Sequence, residues 1–288
     1  MPAIYLPLKF KKMNLHNVIN EIEKVDPEIY DRLDGRRDAI KKFTGFAGKA
    51  ALLAIPFGLG SMFKKAYGQT PASIVAVLNY ALTLEYLEAE FYTRAVATPG
   101  LVPAGVGATT FTTIRDHENA HVAFLRSAII ASSGTPVAKP NFDFTGGNGS
   151  MAGPYATVFT SYDTLLAVAQ AFEDTGVRAY KGQAGALISN NDVLTAALRI
   201  HSVEARHAAA IRRIRRERGA TVKPWITGNN TGGVPGVDAV YAGEENTMQA
   251  GVNITGIEAG VSVDDATEAF DEPLTMAQVL AIVDPFIV

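Results

Sequence analysis

A Glu-x-x-His pair occurs twice in this sequence, and each copy follows another glutamate at nearly the same distance. The six residues are Glu85, Glu118, His121, Glu173, Glu204 and His207. The upstream glutamate precedes the paired glutamate by 33 residues in the first copy and by 31 in the second. Two glutamates and two Glu-x-x-His pairs on four apolar helices are the ligand set of a carboxylate-bridged two-metal site. The repeat therefore predicts an all-α fold built around two metal ions.

The spacing within each pair suits metal binding. Residues three apart in a helix lie on one face, so Glu118 and His121 can reach one ion and the second pair can reach another. Each paired glutamate can bridge both ions, which leaves Glu85 and Glu173 as terminal ligands. Four carboxylates balance two divalent ions, and this balance lowers the cost of burying the charges. The chain has no cysteine, so oxygen and imidazole donors must hold the metal, which suits iron, manganese or zinc.

Two tyrosines repeat with the glutamates. Tyr92 follows Glu85 by seven residues and Tyr180 follows Glu173 by seven, a spacing that returns to almost the same helix face. We therefore take both tyrosines as candidate catalytic residues beside the metals, although packing in the core would explain them equally well.

Several neighbours are alternative ligands. Glu88 or Glu90 could replace Glu85, but Glu85 has the better spacing and the matching tyrosine. Asp174 could replace Glu173, although it is shorter and lies about 100° away around the helix.

Two further histidines lie close to the motifs. His201 stands one turn before Glu204 and could support the site, although a polar residue with satisfied hydrogen bonds near the core is the simpler interpretation. His117 directly precedes Glu118 and is a nearby alternative.

Apolar periodicity and capping residues predict four long helices. They cover approximately residues 70–98, 107–131, 161–188 and 191–218. Short loops join the first helix to the second and the third to the fourth, whereas a segment rich in Gly, Pro, Ser and Asn crosses from the second to the third. Two antiparallel pairs joined by one long crossover are the connectivity of a ferritin-like four-helix bundle.

The bundle defines three predicted regions: a leader at 1–68, the bundle at 69–219 and a loop-rich tail at 220–288. The leader contains Arg36-Arg37 before a short apolar run at 50–63, which resembles a twin-arginine export signal and predicts a periplasmic or exported protein. The alternative is a cytoplasmic protein whose leader forms packed helices or an uncleaved anchor. We expect membrane contact only transiently or through the leader, and translation could start at Met1 or Met13.

The tail has one clear helical signal. Thr275 with Gln278 forms a capping box, which predicts a helix at 276–283, and a short hairpin could lie elsewhere in the tail. Five arginines end the fourth helix, at positions 212, 213, 215, 216 and 218. We interpret them as cations on a solvated face that complement the negative end of the helix dipole.

Composition excludes other classes of function. The net charge is −3 and the pI about 6.0, so no strong field favours nucleic acid or anionic lipid. We find no phosphate-binding loop, dinucleotide fingerprint or Ser-His-Asp pattern.

Two stretches resemble a known family. Residues 84–92 (LEYLEAEFY) and 117–121 (HENAH) look like the first two helices of the ferritin-like superfamily, and the resemblance covers about 70–218. Within it, the chain is most similar to the branch related to plant desiccation-associated proteins. Tail segments 223–226 and 269–275 resemble bacterial members of that branch less specifically. The resemblance implies a di-iron centre, or alternatively a di-manganese centre, held by the six glutamates and histidines.

Three functions are compatible with this resemblance. The chain could be an oxidoreductase that acts on O₂ or peroxide or oxidises iron, or a protein that binds and sequesters iron without turnover. It could also be a stress or desiccation-related structural protein whose metal site only holds the helices together. Assembly into a homo-oligomer is a further expectation.

Overall fold

The computed structural model describes residues 72–288. The leader, its export signal and both candidate start sites lie outside these residues. The described chain is mostly helical, which confirms the predicted fold class. Four long helices form the bundle: α1 Ala72–Ala97, α2 Val106–Ala131, α3 Tyr162–Gln183 and α4 Asn191–Glu217. No helix in this part of the chain combines the length and apolar character needed to cross a membrane.

The long helices start and stop where local chemistry favours it. Ser161 caps α3 by accepting a hydrogen bond from Thr164 N, and Asn190 caps α4 by accepting one from Val193 N. Gly219 follows α4 with a φ of 98°, a left-handed conformation that suits glycine at the end of a helix. These signals explain why the observed bounds lie close to those predicted from the sequence.

Helix α1 packs against α2, and α3 packs against α4. The crossover from α2 to α3 spans residues 132–161 and is organised by the buried carboxylate of Asp143. Its Oδ1 accepts from the amide and hydroxyl of Thr145, and its Oδ2 accepts from the amides of Gly149 and Met151. The amide of Asp143 donates to Phe286 O at 2.9 Å. The crossover is therefore tied to the last residues of the chain.

The tail contains more structure than the sequence predicts. Its elements are α5 Asp238–Tyr241, β1 Met248–Gln249, β2 Val252–Asn253, α6 Val263–Glu268 and α7 Met276–Val283. The strands pair antiparallel as a minimal hairpin. Helix α7 has the predicted bounds and the predicted capping box at Thr275.

Buried arginines hold the tail on the bundle. Arg178 of α3 donates to the carbonyls of Val240, Ala242 and Glu272 and forms an ion pair with Glu244 at 2.7 Å. These contacts join one helix of the bundle to two separate segments of the tail.

A second network lies one turn earlier on α3. Asp174 accepts from Arg212 Nη2 at 2.6 Å and from Tyr241 Oη at 2.7 Å, and Arg212 also donates to Trp225 O at 3.1 Å. Arg215 donates to Gln170 and to the Gly232 carbonyl.

The prediction that the five arginines at the end of α4 lie on a solvated face is therefore wrong for two of them. Arg212 and Arg215 are buried because partners on α3 and in the tail neutralise their charge or accept their hydrogen bonds.

Candidate metal centre

The six residues of the repeated motif meet in the middle of the bundle. Glu85 lies on α1, Glu173 on α3, and one Glu-x-x-His pair lies on each of α2 and α4. All four glutamates are 0% exposed and His207 is 4% exposed. The apolar faces that pack the helices together thus also enclose a strongly polar cluster.

The donor atoms form two overlapping groups, each with all its atoms within 4.8 Å of one another. The first group is Glu85, Glu118, His121 and Glu204, and the second is Glu118, Glu173, Glu204 and His207. Glu118 and Glu204 belong to both groups. This is the arrangement expected when two carboxylates bridge two cations and each cation has its own terminal carboxylate and histidine.

Distances around the histidines show how tightly the donors converge. His121 Nδ1 lies 3.1 Å from Glu85 Oε2, 3.1 Å from Glu118 Oε2 and 3.3 Å from Glu204 Oε1. His207 Nδ1 lies 2.8 Å from Glu118 Oε1 and 3.4 Å from Glu173 Oε2. In both groups Nδ1 is the imidazole nitrogen that faces the carboxylates.

Unsatisfied atoms show that these residues fit a metal. Within residues 72–288, five buried atoms of the cluster have no hydrogen-bond partner: Glu118 Oε1, Glu173 Oε2, Glu204 Oε1, Glu204 Oε2 and His207 Nδ1. Buried polar atoms without partners are rare and costly. Divalent cations would satisfy them, so the cluster could hold metal.

The carboxylates perturb one another and the histidines. Burial, followed by repulsion from other carboxylates, raises the pKa of Glu204 well above its usual range, and burial raises the pKa of Glu85 to about 7. Burial would also raise the pKa of Glu118, but the nearby imidazoles of His121 and His207 outweigh it and lower the pKa to about 2. Burial would lower the pKa of His207, but the nearby carboxylates outweigh it and raise this pKa to about 11. The buried carboxylates thus favour the protonated form of the imidazole.

Both candidate tyrosines reach the cluster, but each contacts the terminal glutamate of the other helix pair. Tyr92 Oη donates to Glu173 Oε1 at 2.5 Å, and Tyr180 Oη donates to Glu85 Oε1. Burial raises the pKa of both hydroxyls, so they remain protonated donors. The sequence spacing placed them near the site without revealing this crosswise pairing.

Their contacts show which of the alternative ligands predicted from the sequence lie near the cluster. Glu90 lies nearer the surface and pairs with Arg94 and Lys139, and Asp174 pairs with Arg212. Glu88 is buried beside the cluster without belonging to either donor group. Burial and the charge of Glu204 raise its pKa well above the usual range.

The outlying histidines also differ. His201 belongs to neither donor group, and its buried Nδ1 has no hydrogen-bond partner in the described part of the chain. His117 does reach the site: its Nδ1 lies 2.9 Å from Nε2 of His207. Its position next to Glu118 was the only sequence signal for this contact.

Fold and site together define a helix-bundle protein with a buried carboxylate and histidine cluster that could hold metal. The sequence matches the family described as "Ferritin-like domain" over residues 73–217, and the chain belongs to that family. A comparison with curated proteins gives no match. The desiccation-related branch stays a prediction.

Proposed function

We propose that this protein binds two iron ions, or alternatively two manganese ions, and catalyses a redox reaction with O₂ or peroxide. The observation that carries the proposal is that the two donor groups share Glu118 and Glu204. Separate sites would give two unrelated cations, whereas shared carboxylates favour a coupled pair.

The roles of the residues follow from their positions. Glu118 and Glu204 would bridge the two metal ions. Glu85 with His121 would complete one metal position, and Glu173 with His207 would complete the other. When bound, such a metal pair supplies the electrons that O₂ or peroxide chemistry requires. The surrounding apolar core limits the access of bulk water, which strengthens electrostatic interactions inside the site.

The tyrosines would orient the terminal carboxylates. Each phenol hydrogen bond occupies one carboxylate oxygen of Glu85 or Glu173 and leaves the other oxygen directed toward the cluster. Because each phenol donates a hydrogen bond to a carboxylate, Tyr92 and Tyr180 are also our candidates for residues that supply an electron to O₂ or peroxide, with the phenol proton passing to the carboxylate that accepts its hydrogen bond.

Metal analysis followed by oxidation tests the proposal. The purified protein is assayed for bound metal, stripped, reloaded anaerobically with ferrous iron, and mixed with air or hydrogen peroxide. Two metals per chain and rapid oxidation would support the proposed function. Absence of bound metal, with no change in melting temperature on chelation, would contradict the site.

A structural role is the second candidate, and complete burial of all four carboxylates favours it. In that case, two metals per chain would bind without reacting with O₂ or peroxide. Many irons per chain would instead indicate iron storage. The same measurement therefore distinguishes all three functions.

The location of the protein in the cell is a separate proposal. We propose export through the twin-arginine-like segment around Arg36-Arg37, in the periplasm of a bacterium, with a role under stress or desiccation. Mass spectrometry of the mature N-terminus tests it, because an intact N-terminus in protein recovered from the cytoplasm would contradict export.

A further inference from the structure

His207 has a hydrogen-bond partner behind it, on the side away from the carboxylates. Its Nε2 lies 2.9 Å from Nδ1 of His117. The two rings are nearly parallel, with an interplanar angle of 21° and centroids 5.2 Å apart. His117 is on α2 and is exposed to solvent, so this contact connects the buried cluster with the surface.

The contact specifies which nitrogen of His207 is free. Its Nδ1 faces Glu118 and Glu173 and makes no hydrogen bond within the described residues. A neutral imidazole that binds a cation through Nδ1 carries its hydrogen on Nε2. That hydrogen then points to Nδ1 of His117, which accepts it, and the ring of His207 is held in the metal-binding tautomer.

The other half of the cluster lacks this support. In the internal repeat, His117 stands directly before Glu118, and Val203 stands at the matching position before Glu204. Valine cannot accept a hydrogen bond. Accordingly, Nε2 of His121 has no hydrogen-bond partner among residues 72–288, whereas its Nδ1 faces three carboxylates.

We propose that His117 is a positioning residue that makes the two metal positions unequal. The position formed by Glu118, Glu173, Glu204 and His207 binds its cation more tightly than the position formed around His121. The inference rests on the proposed two-metal site and adds an order of filling to it. Loss of a residue that orients a metal-binding histidine typically lowers affinity 10- to 100-fold.

Calorimetric titration of the metal-free full chain with Mn²⁺ tests the inference. Wild type should show two affinities that differ by about 10- to 100-fold. His117→Phe removes the acceptor and should weaken the tighter affinity by a similar factor, so that the two become nearly equal. His117→Asn offers an amide oxygen near the position of Nδ1 and should restore most of the difference.

The repeat provides a matched gain-of-function variant. Val203→His places an acceptor at the equivalent position behind His121 and should raise the weaker affinity toward the tighter one. Nitrogen-15 NMR of the Zn²⁺-loaded protein provides a readout independent of activity. His207 should carry its hydrogen on Nε2 in wild type and in His117→Asn.

The inference alone would be overturned by a wild type with two equal affinities or by His117→Phe with wild-type affinities. Equal weakening of both affinities by His117→Phe, together with a lower melting temperature without metal, would indicate a merely structural role and also overturn it. A wild-type chain that binds no Mn²⁺, Fe²⁺ or Zn²⁺ would overturn the proposed function as well.

Discussion

Gly176 of α3 lies beside the cluster of carboxylates and histidines and leaves room for its carboxylates. A Cβ at this position would lie 3.0 Å from Glu204 Oε2 and 3.3 Å from Glu88 Oε1. Both distances are shorter than comfortable van der Waals contacts, so an added methyl group must displace at least one carboxylate. The absence of a side chain here is therefore part of the geometry of the site.

Gly176→Ala should separate helix stability from metal binding. Alanine stabilises a helix interior by about 0.5–1 kcal/mol relative to glycine, which offsets part of the packing cost, so the melting temperature of the metal-free variant should change little. Displacement of Glu204 should weaken metal binding by roughly 10- to 100-fold, given a packing cost of about 1–3 kcal/mol. Calorimetric titration with Mn²⁺ measures the affinity. Gly185→Ala is the control, because its Cβ would meet no atom within 4 Å, and equal affinities in both variants would contradict the steric argument.

Substitution of the cluster itself should remove metal without broad disruption. Glu204→Gln keeps the shape of the side chain but removes a bridging charge, and His207→Ala removes one nitrogen donor. We expect both to hold fewer than two metals per chain by elemental analysis. Glu90→Gln changes a glutamate on α1 that pairs with Arg94 outside the cluster and should retain full metal content. The assignment of ligands is wrong if all three variants hold equal metal.

At the scale of the elements, the crossover depends on one ionised carboxylate. Burial would raise the pKa of Asp143, but hydrogen bonds from Thr145, Met151 and Gly149 outweigh it and lower the pKa. A lowered folded-state pKa contributes stability that is present above the unfolded value, near 3.9, and is lost as the pH falls through the folded value.

Asp143→Asn should therefore destabilise the protein in a pH-dependent way. The new amide nitrogen cannot accept from Gly149 and Met151, so the free energy of unfolding at pH 7 should fall by about 1–3 kcal/mol. The difference from wild type should narrow as the pH falls below about 4, because Asp143 of the unfolded wild-type chain then takes up a proton while the folded carboxylate stays ionised to lower pH. Urea denaturation across this pH range measures the free energy of unfolding, with the exposed Asp192→Asn as the control. A gap that stays constant with pH would contradict the role of the charge.

The tail is held on α3 by a buried charged side chain, as the crossover is held by Asp143. Arg178→Met leaves Glu244 buried without its cation and removes the donor to three tail carbonyls. Breaking a buried ion pair from one side costs about 3–5 kcal/mol, so denaturation should occur at lower urea concentration and proteases should cleave the tail faster. Arg213→Met, which loses only an exposed pair with Glu217, should change stability by less than about 0.5 kcal/mol. A tail equally resistant in both variants would exclude the arginine as its anchor.

These elements show what the sequence could and could not predict. Helix bounds and the convergence of six residues follow from periodicity, caps and the repeated spacing, all of which are local signals. The partners of Arg212 were hidden because Asp174 lies 38 residues away and Trp225 belongs to an irregular segment. Crosswise pairing of the tyrosines was hidden for the same reason, since it depends on how the two helix pairs face each other.

At the scale of the whole molecule, the metal should contribute to folding. A cluster of four buried glutamates is self-repulsive when empty, and a ligand that binds only the folded state stabilises it by mass action. Metal at about 100 times its dissociation constant should add about 2.7 kcal/mol per site. We expect chelation to lower the melting temperature and added Mn²⁺ to restore it. Glu204→Gln should show a much smaller shift, and an identical shift in both proteins would place the stabilising metal elsewhere.

The contact between Arg212 and the carbonyl of Trp225 also provides an optical signal. Trp225 is the single tryptophan of the chain, it is half exposed, and its carbonyl accepts a hydrogen bond from Arg212 of α4. Its fluorescence therefore reports on one junction and not on an average over the molecule. A shift in emission that precedes the loss of helical circular dichroism would reveal a state in which the tail has detached while the bundle remains folded.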